Sequence, residues 1–131
     1  MGKPAAKLGD TITATDTHIV MMPSPGGPIP TPMPFPFLGV VSGELSKDVM
    51  INGVPAATVG STAINAPPHI PPAPGTFQKP PSNQAKIITG SSTVLINGKP
   101  AARSGDIAVT CNDPVDLPVG TVISSGNVFI G

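Results

Sequence analysis

The 131-residue sequence contains no tryptophan, no tyrosine, four phenylalanines, one cysteine and few charged side chains. Charged residues make up 11% of the chain, less than half the share of about 25% in a typical soluble domain. A single cysteine excludes an internal disulfide. Seven basic and seven acidic residues leave no net charge, so the basic surface that a nucleic-acid-binding protein needs is absent. No apolar run is long enough to span a membrane and no apolar leader segment follows the N-terminus, so we expect neither a membrane span nor a secretory signal.

Glycine and proline are abundant, with 15 and 19 residues. Prolines at this density exclude long helices, because each proline inside a helix costs about 3 kcal/mol. Disordered chains are usually polar and charged, whereas 39% of this chain is hydrophobic and its mean hydropathy is +0.22. The composition therefore predicts a small all-β domain with many turns. Its core would be thin and aliphatic, so we expect a further stabiliser such as a metal.

An internal repeat supplies the framework of the predicted fold. Residues 49–60 (VMINGVPAATVG) and 94–105 (VLINGKPAARSG) are identical at eight of twelve positions. In each copy a β-prone run precedes an Asn-Gly pair, which favours a two-residue hairpin turn because both residue types tolerate positive φ. The predicted turn residues are Asn52, Gly53, Asn97 and Gly98.

A third copy of the repeat is divided between the two ends of the chain. Residues 4–10 (PAAKLGD) match the outgoing half of the hairpin, and residues 125–131 (SGNVFIG) contain the incoming half. If the ends meet, three equivalent hairpins close into a ring with pseudo-threefold symmetry. We therefore predict a single domain over residues 1–131, in which long connections join the hairpins. Two of these connections are rich in proline, which favours stiff, extended backbone without internal hydrogen bonds.

Each connection contributes one candidate metal ligand. His18 and His69 lie eight residues after the end of a hairpin, and Cys111 lies five residues after the third. Neutral imidazole and thiolate suit zinc, and threefold symmetry would bring the three side chains together near the axis. The sequence therefore predicts a structural zinc site, which would tie the connections together. The fourth ligand is left open among Asp16, Asp113, Asp116 and a water molecule.

The same side chains could in principle support catalysis. An open position on zinc can activate water, and Cys111 with a histidine could form a nucleophile pair. The sequence offers no general base with a substrate pocket, no third group to orient such a pair, and no glycine-rich phosphate loop. We therefore predict that the protein is not an enzyme, and a metal-dependent hydrolase is the least favoured alternative.

Residues 100–106 (PAARSGD) resemble the signature of the PAAR-repeat proteins, with degenerate copies at 55–58 (PAAT) and 4–7 (PAAK). The resemblance extends over essentially the whole chain, since the Asn-Gly turns and the terminal NVFIG segment are also typical of that family. It implies a small conical β domain of three pseudo-threefold hairpin repeats. The base of such a domain sits on a trimeric VgrG-like β-helical spike, and its sharp, zinc-bearing vertex leads a contractile injection machine through a membrane.

The resemblance also implies a ligand set and a cellular context. The family site usually contains three histidines and one cysteine, so His18, His69 and Cys111 resemble three of its ligands, while a third histidine is absent here. The implied machines are type VI secretion systems, contractile phage tails and extracellular injection systems. The protein would assemble in the cytoplasm, one chain per VgrG-like trimer, and leave at the tip of the apparatus to touch the target membrane transiently. We expect no toxin domain to be fused after the last repeat, and an adaptor that recruits effectors to the spike through its Pro-rich loops is the alternative function.

Overall fold

Strands, turns and bends make up the secondary structure of residues 2–131, the part of the chain that the computed structural model describes. The all-β prediction is therefore confirmed. No helix in this part of the chain is long and apolar enough to cross a membrane. The strands are β1 (Lys3–Pro4), β2 (Thr11–Met22), β3 (Ile29–Gly43), β4 (Met50–Ile51), β5 (Val54–Pro55), β6 (Thr62–Asn65), β7 (Thr76–Phe77), β8 (Gln84–Ile87), β9 (Leu95–Ile96), β10 (Lys99–Pro100), β11 (Ile107–Thr110), β12 (Leu117–Ile123) and β13 (Phe129–Ile130).

Six strands form a closed antiparallel ring in the order β2, β3, β6, β8, β11, β12 and back to β2. Alternate side chains of each strand enter the ring, as the two-residue period of a strand requires. These side chains are small or aliphatic, with Phe37 as the largest fully buried one. The shortage of aromatic residues thus produces a narrow core. Its members are Ala6, Ile12, Phe37, Val41, Ala57, Ala63, Ala85, Ile87, Ala102, Ala108, Cys111 and Val122.

Three short hairpins repeat one geometry, which confirms the predicted hairpin repeat. They pair β4 with β5, β9 with β10, and β13 with β1. In the first two hairpins both turn residues have positive φ, 51° and 83° at Asn52 and Gly53, and 53° and 79° at Asn97 and Gly98. In the third hairpin the two ends of the chain take the place of a turn, and Lys3 pairs with Ile130.

Three alanines join the hairpins through a closed cycle of backbone hydrogen bonds. The N–H of Ala6 donates to the carbonyl of Ala102 (2.9 Å), Ala102 donates to Ala57 (3.1 Å), and Ala57 donates back to Ala6 (3.0 Å). All three residues are fully buried. A cycle of three equivalent bonds is what pseudo-threefold symmetry requires, and only small side chains let three backbone segments approach one another this closely.

The first Pro-rich connection departs from the extended, unbonded backbone that its composition suggests. It folds back as β2 and β3, which pair over twelve residues from Thr11 with Val40 to Met22 with Ile29. The paired strands extend well beyond their neighbours and form an arm. Its proline-containing strand is therefore a regular β-strand, because pairing with β2 supplies the hydrogen bonds that the composition alone does not predict.

In β3, the backbone nitrogens of the prolines lie along the edge of the strand that does not pair with β2. Leu38 defines this edge, since its N–H donates to the Asn65 side chain and its carbonyl accepts from Ala66, both outside β2. The backbone N–H and C=O groups of every second residue before Leu38 point to the same edge. A proline there presents no N–H to a further strand, so the free edge resists pairing with another chain. The four prolines are Pro30, Pro32, Pro34 and Pro36.

Candidate metal centre

Four buried side chains with metal-binding atoms meet beside the arm: Asp16, His18, His69 and Cys111. One donor atom from each lies within 4.8 Å of all the others. Asp16 and His18 are two residues apart on β2 and therefore face the same side of that strand. Cys111 directly follows β11, and His69 lies in the connection between β6 and β7.

The structure thus brings together His18, His69 and Cys111 and, of the three carboxylates considered as a fourth ligand, Asp16. Asp113 lies next to the cluster but on its outer side, with Oδ2 3.6 Å from Nδ1 of His18. Asp116 is exposed and outside the cluster. Asp16 lies two residues before His18 on β2, so both side chains lie on one face of the strand, a relation that the sequence analysis did not use.

Two of the distances between donor atoms match the spacing of ligand atoms around a tetrahedral zinc ion. Sγ of Cys111 lies 3.7 Å from Nε2 of His18 and 3.5 Å from Oδ2 of Asp16. A zinc ion with bonds of about 2.0–2.3 Å holds its ligand atoms roughly 3.3–3.6 Å apart. Nε2 of His69 lies closer to the same Asp16 oxygen, at 2.8 Å, which is a hydrogen bond. The donor set of two nitrogens, one sulfur and one oxygen is one that zinc accepts.

Neighbouring polar groups fix the carboxylate of Asp16. Its Oδ1 accepts a hydrogen bond from the hydroxyl of Thr110 (2.5 Å), and Asn112 Nδ2 lies 3.5 Å from the same oxygen. Oδ2 is left to face His69 and Cys111. Asp16 is therefore arranged to offer one oxygen to an ion. Sequence reasoning gave no indication of Thr110 or Asn112, because their role depends on contacts between strands far apart in the chain.

His69 is held by two asparagines. Its backbone N–H donates to Oδ1 of Asn83 (2.9 Å), and Nδ2 of Asn65 lies 3.3 Å from its Nδ1. Asn65 also donates to Asn83 (3.1 Å). This network positions the imidazole in a connection that has little regular structure, and it too was not predicted from the sequence.

Three of the four phenylalanines enclose the cluster. Phe35 and Phe77 lie with ring centroids 5.6 and 5.7 Å from that of His18, and Phe37 lies 6.1 Å from that of His69. The few aromatic side chains of the protein are therefore concentrated where they shield the candidate ligands from water. A low local dielectric strengthens the attraction between a cation and its anionic ligands.

Burial shifts the pKa of two candidate ligands, His18 and Cys111. It lowers the pKa of His18, although Asp113 acts in the opposite direction, so the imidazole is neutral at pH 7 and can act as a ligand. Burial, and then the negative charge of Asp16, raise the pKa of the Cys111 thiol to about 11. Hydrogen bonds from Asn83 and Ser82 favour the thiolate but do not outweigh these effects. Without a cation, Cys111 is therefore a thiol at neutral pH.

The raised pKa of Cys111 predicts a pH-dependent metal affinity. A divalent ion must displace the thiol proton, and the thiol stays protonated up to about pH 11. The apparent affinity should therefore rise about tenfold per pH unit between roughly pH 7 and pH 8.5. Competition with a chromophoric chelator of known pH dependence measures this slope. A flat profile, or no proton released per ion in calorimetry, would exclude Cys111 as a ligand.

A protein-family model described as the PAAR motif matches residues 20–115 and, in a second match, residues 77–131. The two matches together cover most of the chain. The chain belongs to the PAAR motif family. A search of curated proteins found no match. Membership of the PAAR family suggests a spike-tip role in a contractile injection system, and this family is structural rather than enzymatic.

The PAAR segments themselves serve a local structural purpose. In each repeat the side chain after the glycine accepts the N–H of the residue three positions earlier, which closes a tight turn where the chain leaves the hairpin. Two of these turns also carry an ion pair, Arg103 with Asp106 (2.9 Å) and Lys7 with Asp10 (3.2 Å). The three N–H bonds are Lys7 to Asp10 (3.0 Å), Thr58 to Ser61 (3.0 Å) and Arg103 to Asp106 (2.7 Å).

Proposed function

We propose that this PAAR protein caps a trimeric VgrG-like spike and forms the rigid tip with which a contractile injection machine pierces a membrane. The three hairpins would contact the spike, and a structural zinc ion would be held by Asp16, His18, His69 and Cys111. The ion would act as a cross-link between strand and connections. We further propose that the protein assembles in the cytoplasm and leaves the cell with the spike.

The observation that carries this proposal is an apolar triad, formed by Met50, Leu95 and Phe129. These residues occupy equivalent positions in the three hairpins, and their side chains are 58%, 63% and 59% exposed. The next residue of each strand points the other way and is only 6% exposed. The inward residues, with three alanines, form a second small core: Ile51, Ile96, Ile130, Ala5, Ala56 and Ala101.

The triad supports a threefold partner because one chain presents the same kind of side chain three times around its pseudo-symmetry axis. A surface repeated in this way matches one subunit of a trimer at each position. A partner that covers the three positions would remove these exposed apolar side chains from water, which favours binding. Each of them, once covered, stabilises a complex by about 1.5–3 kcal/mol.

The candidate metal centre supports the mechanical part of the proposal. Its four side chains come from β2 and from two separate connections, so an ion bound there restrains three chain segments at one point. Ordering flexible segments in this way removes conformational freedom. A tip that must transmit force needs this rigidity.

The partner proposal is tested by mixing the protein with a trimeric VgrG-like spike and measuring complex mass by light scattering. We expect one chain per trimer, and more than a thousandfold weaker binding when Met50, Leu95 and Phe129 are all changed to aspartate. Ile70→Asp is the matched control, since Ile70 is 74% exposed but lies beside His69, outside the hairpins. Unchanged binding by the triple variant would contradict the proposal. Effector binding lost only in Ile70→Asp would instead support the adaptor alternative.

A further inference from the structure

One nitrogen in the metal centre lacks a partner. Nδ1 of His18 is buried and has no hydrogen-bond partner among the described residues. If Nε2 of the same ring binds a cation, the proton of the neutral imidazole must reside on Nδ1. Histidine ligands almost always donate that N–H to a carboxylate, a carbonyl or water, which fixes the direction of the ring. The unpartnered Nδ1–H of His18 therefore needs a hydrogen-bond acceptor.

The nearest acceptor is the carboxylate of Asp113. Its Oδ2 lies 3.6 Å from Nδ1 of His18, slightly beyond hydrogen-bonding distance. The side chain of Asp113 is 4% exposed, so it is as enclosed as the histidine. A small rotation of the imidazole would close the gap.

Asp113 is anchored to the strand that carries His18. Its Oδ2 accepts the N–H of Ile19 (2.8 Å), and its own N–H donates to the carbonyl of Thr17 (2.8 Å). Asp113 therefore bonds the backbone on both sides of His18, through its carboxylate at Ile19 and its own N–H at Thr17. Its position is set before any ion arrives, which is a requirement for a group that orients a ligand.

The other neighbours of His18 cannot fill this role. Phe35 and Phe77 flank its ring and offer no lone pair. Cys111 lies on the opposite, Nε2 side. Asp16 uses its two oxygens for Thr110 and for the ion-facing side of the cluster.

We propose that Asp113 is a positioning residue, which accepts a hydrogen bond from Nδ1–H of His18 when Nε2 is bound to the metal ion. It fixes the tautomer and the direction of the imidazole without touching the ion. The inference rests on the proposed metal centre, and it gives a carboxylate considered as a ligand on sequence grounds a different role.

The test uses Co²⁺ as a spectroscopic probe with the full chain. Asp113→Ala should weaken Co²⁺ binding by up to 100-fold and Asp113→Asn by about tenfold, because the amide oxygen keeps the Ile19 contact but is a weaker acceptor. Both variants should still bind one ion. Asp116→Ala is the control, since that exposed carboxylate lies outside the cluster.

A second measurement separates positioning from general stability. Long-range ¹H–¹⁵N spectra of the Zn²⁺-loaded protein should show His18 protonated at Nδ1, with a shift that changes in Asp113→Asn while the His69 signals stay in place. Wild-type affinity in both Asp113 variants, or an unchanged His18 shift, would overturn the inference while leaving the metal centre intact. If the wild-type protein binds no Co²⁺, the metal centre and the inference both fail.

Discussion

Removal of the bound metal is expected to lower the midpoint of thermal unfolding by about 10–20 °C. An ion that binds only the folded chain stabilises it by about 4 kcal/mol when its free concentration is a thousandfold above Kd. For a domain of this size each kcal/mol shifts the midpoint by roughly 3–5 °C. Calorimetry with and without a strong chelator measures the difference.

Ligand variants make this prediction specific. His69→Ala and Cys111→Ser should each lose more than 100-fold in metal affinity, since even changes outside the ligand set cost about 10–100-fold. The chelator should then hardly alter their unfolding midpoint. Asp116→Ala, an exposed carboxylate outside the cluster, should respond to the chelator as the wild-type protein does. A His69→Ala protein that retains one tightly bound ion would refute the assignment.

Ala102→Leu is expected to destabilise the protein by about 3 kcal/mol. Extra methylene groups in a packed core typically cost about 1–3 kcal/mol, and the upper end applies because Ala102 is fully buried and its backbone bonds both Ala6 and Ala57. No neighbour in this cycle can move without lengthening a hydrogen bond. Urea denaturation, read as a shift in midpoint at constant slope, measures the loss.

The control for the alanine cycle is Ala73→Leu, the same change at an exposed position in the connection between β6 and β7. It should alter the free energy of unfolding by less than about 0.5 kcal/mol. Equal stability of the Ala102 variant and the wild-type protein would show that the three hairpins are packed more loosely than the cycle of bonds indicates.

The hairpins could be predicted from the sequence because their signal is local. An Asn-Gly pair turns the chain by its own backbone preference, and Asn52 and Asn97 indeed have positive φ. The pairing of β2 with β3 could not be predicted from a local signal. The prolines of β3 favour extended backbone, but only a distant strand decides whether that backbone is free or paired.

The part of the candidate site that could be predicted is the set of ligands that occur once in each repeat. His18, His69 and Cys111 lie at related distances from their hairpins, so symmetry placed them together. Asp16 could not be separated from the other carboxylates by residue type, because strand geometry distinguishes them. The asparagines and Thr110 that support the ligands act across long stretches of sequence, where no local pattern marks them.

The pairing of β1 with β13 has a consequence for how the protein forms. These strands lie at opposite ends of the sequence, so their contact closes the longest loop in the chain, and long-range closure slows folding. The apolar triad includes Phe129 of β13, so its three positions take their equivalent places only after this long-range closure has formed the third hairpin.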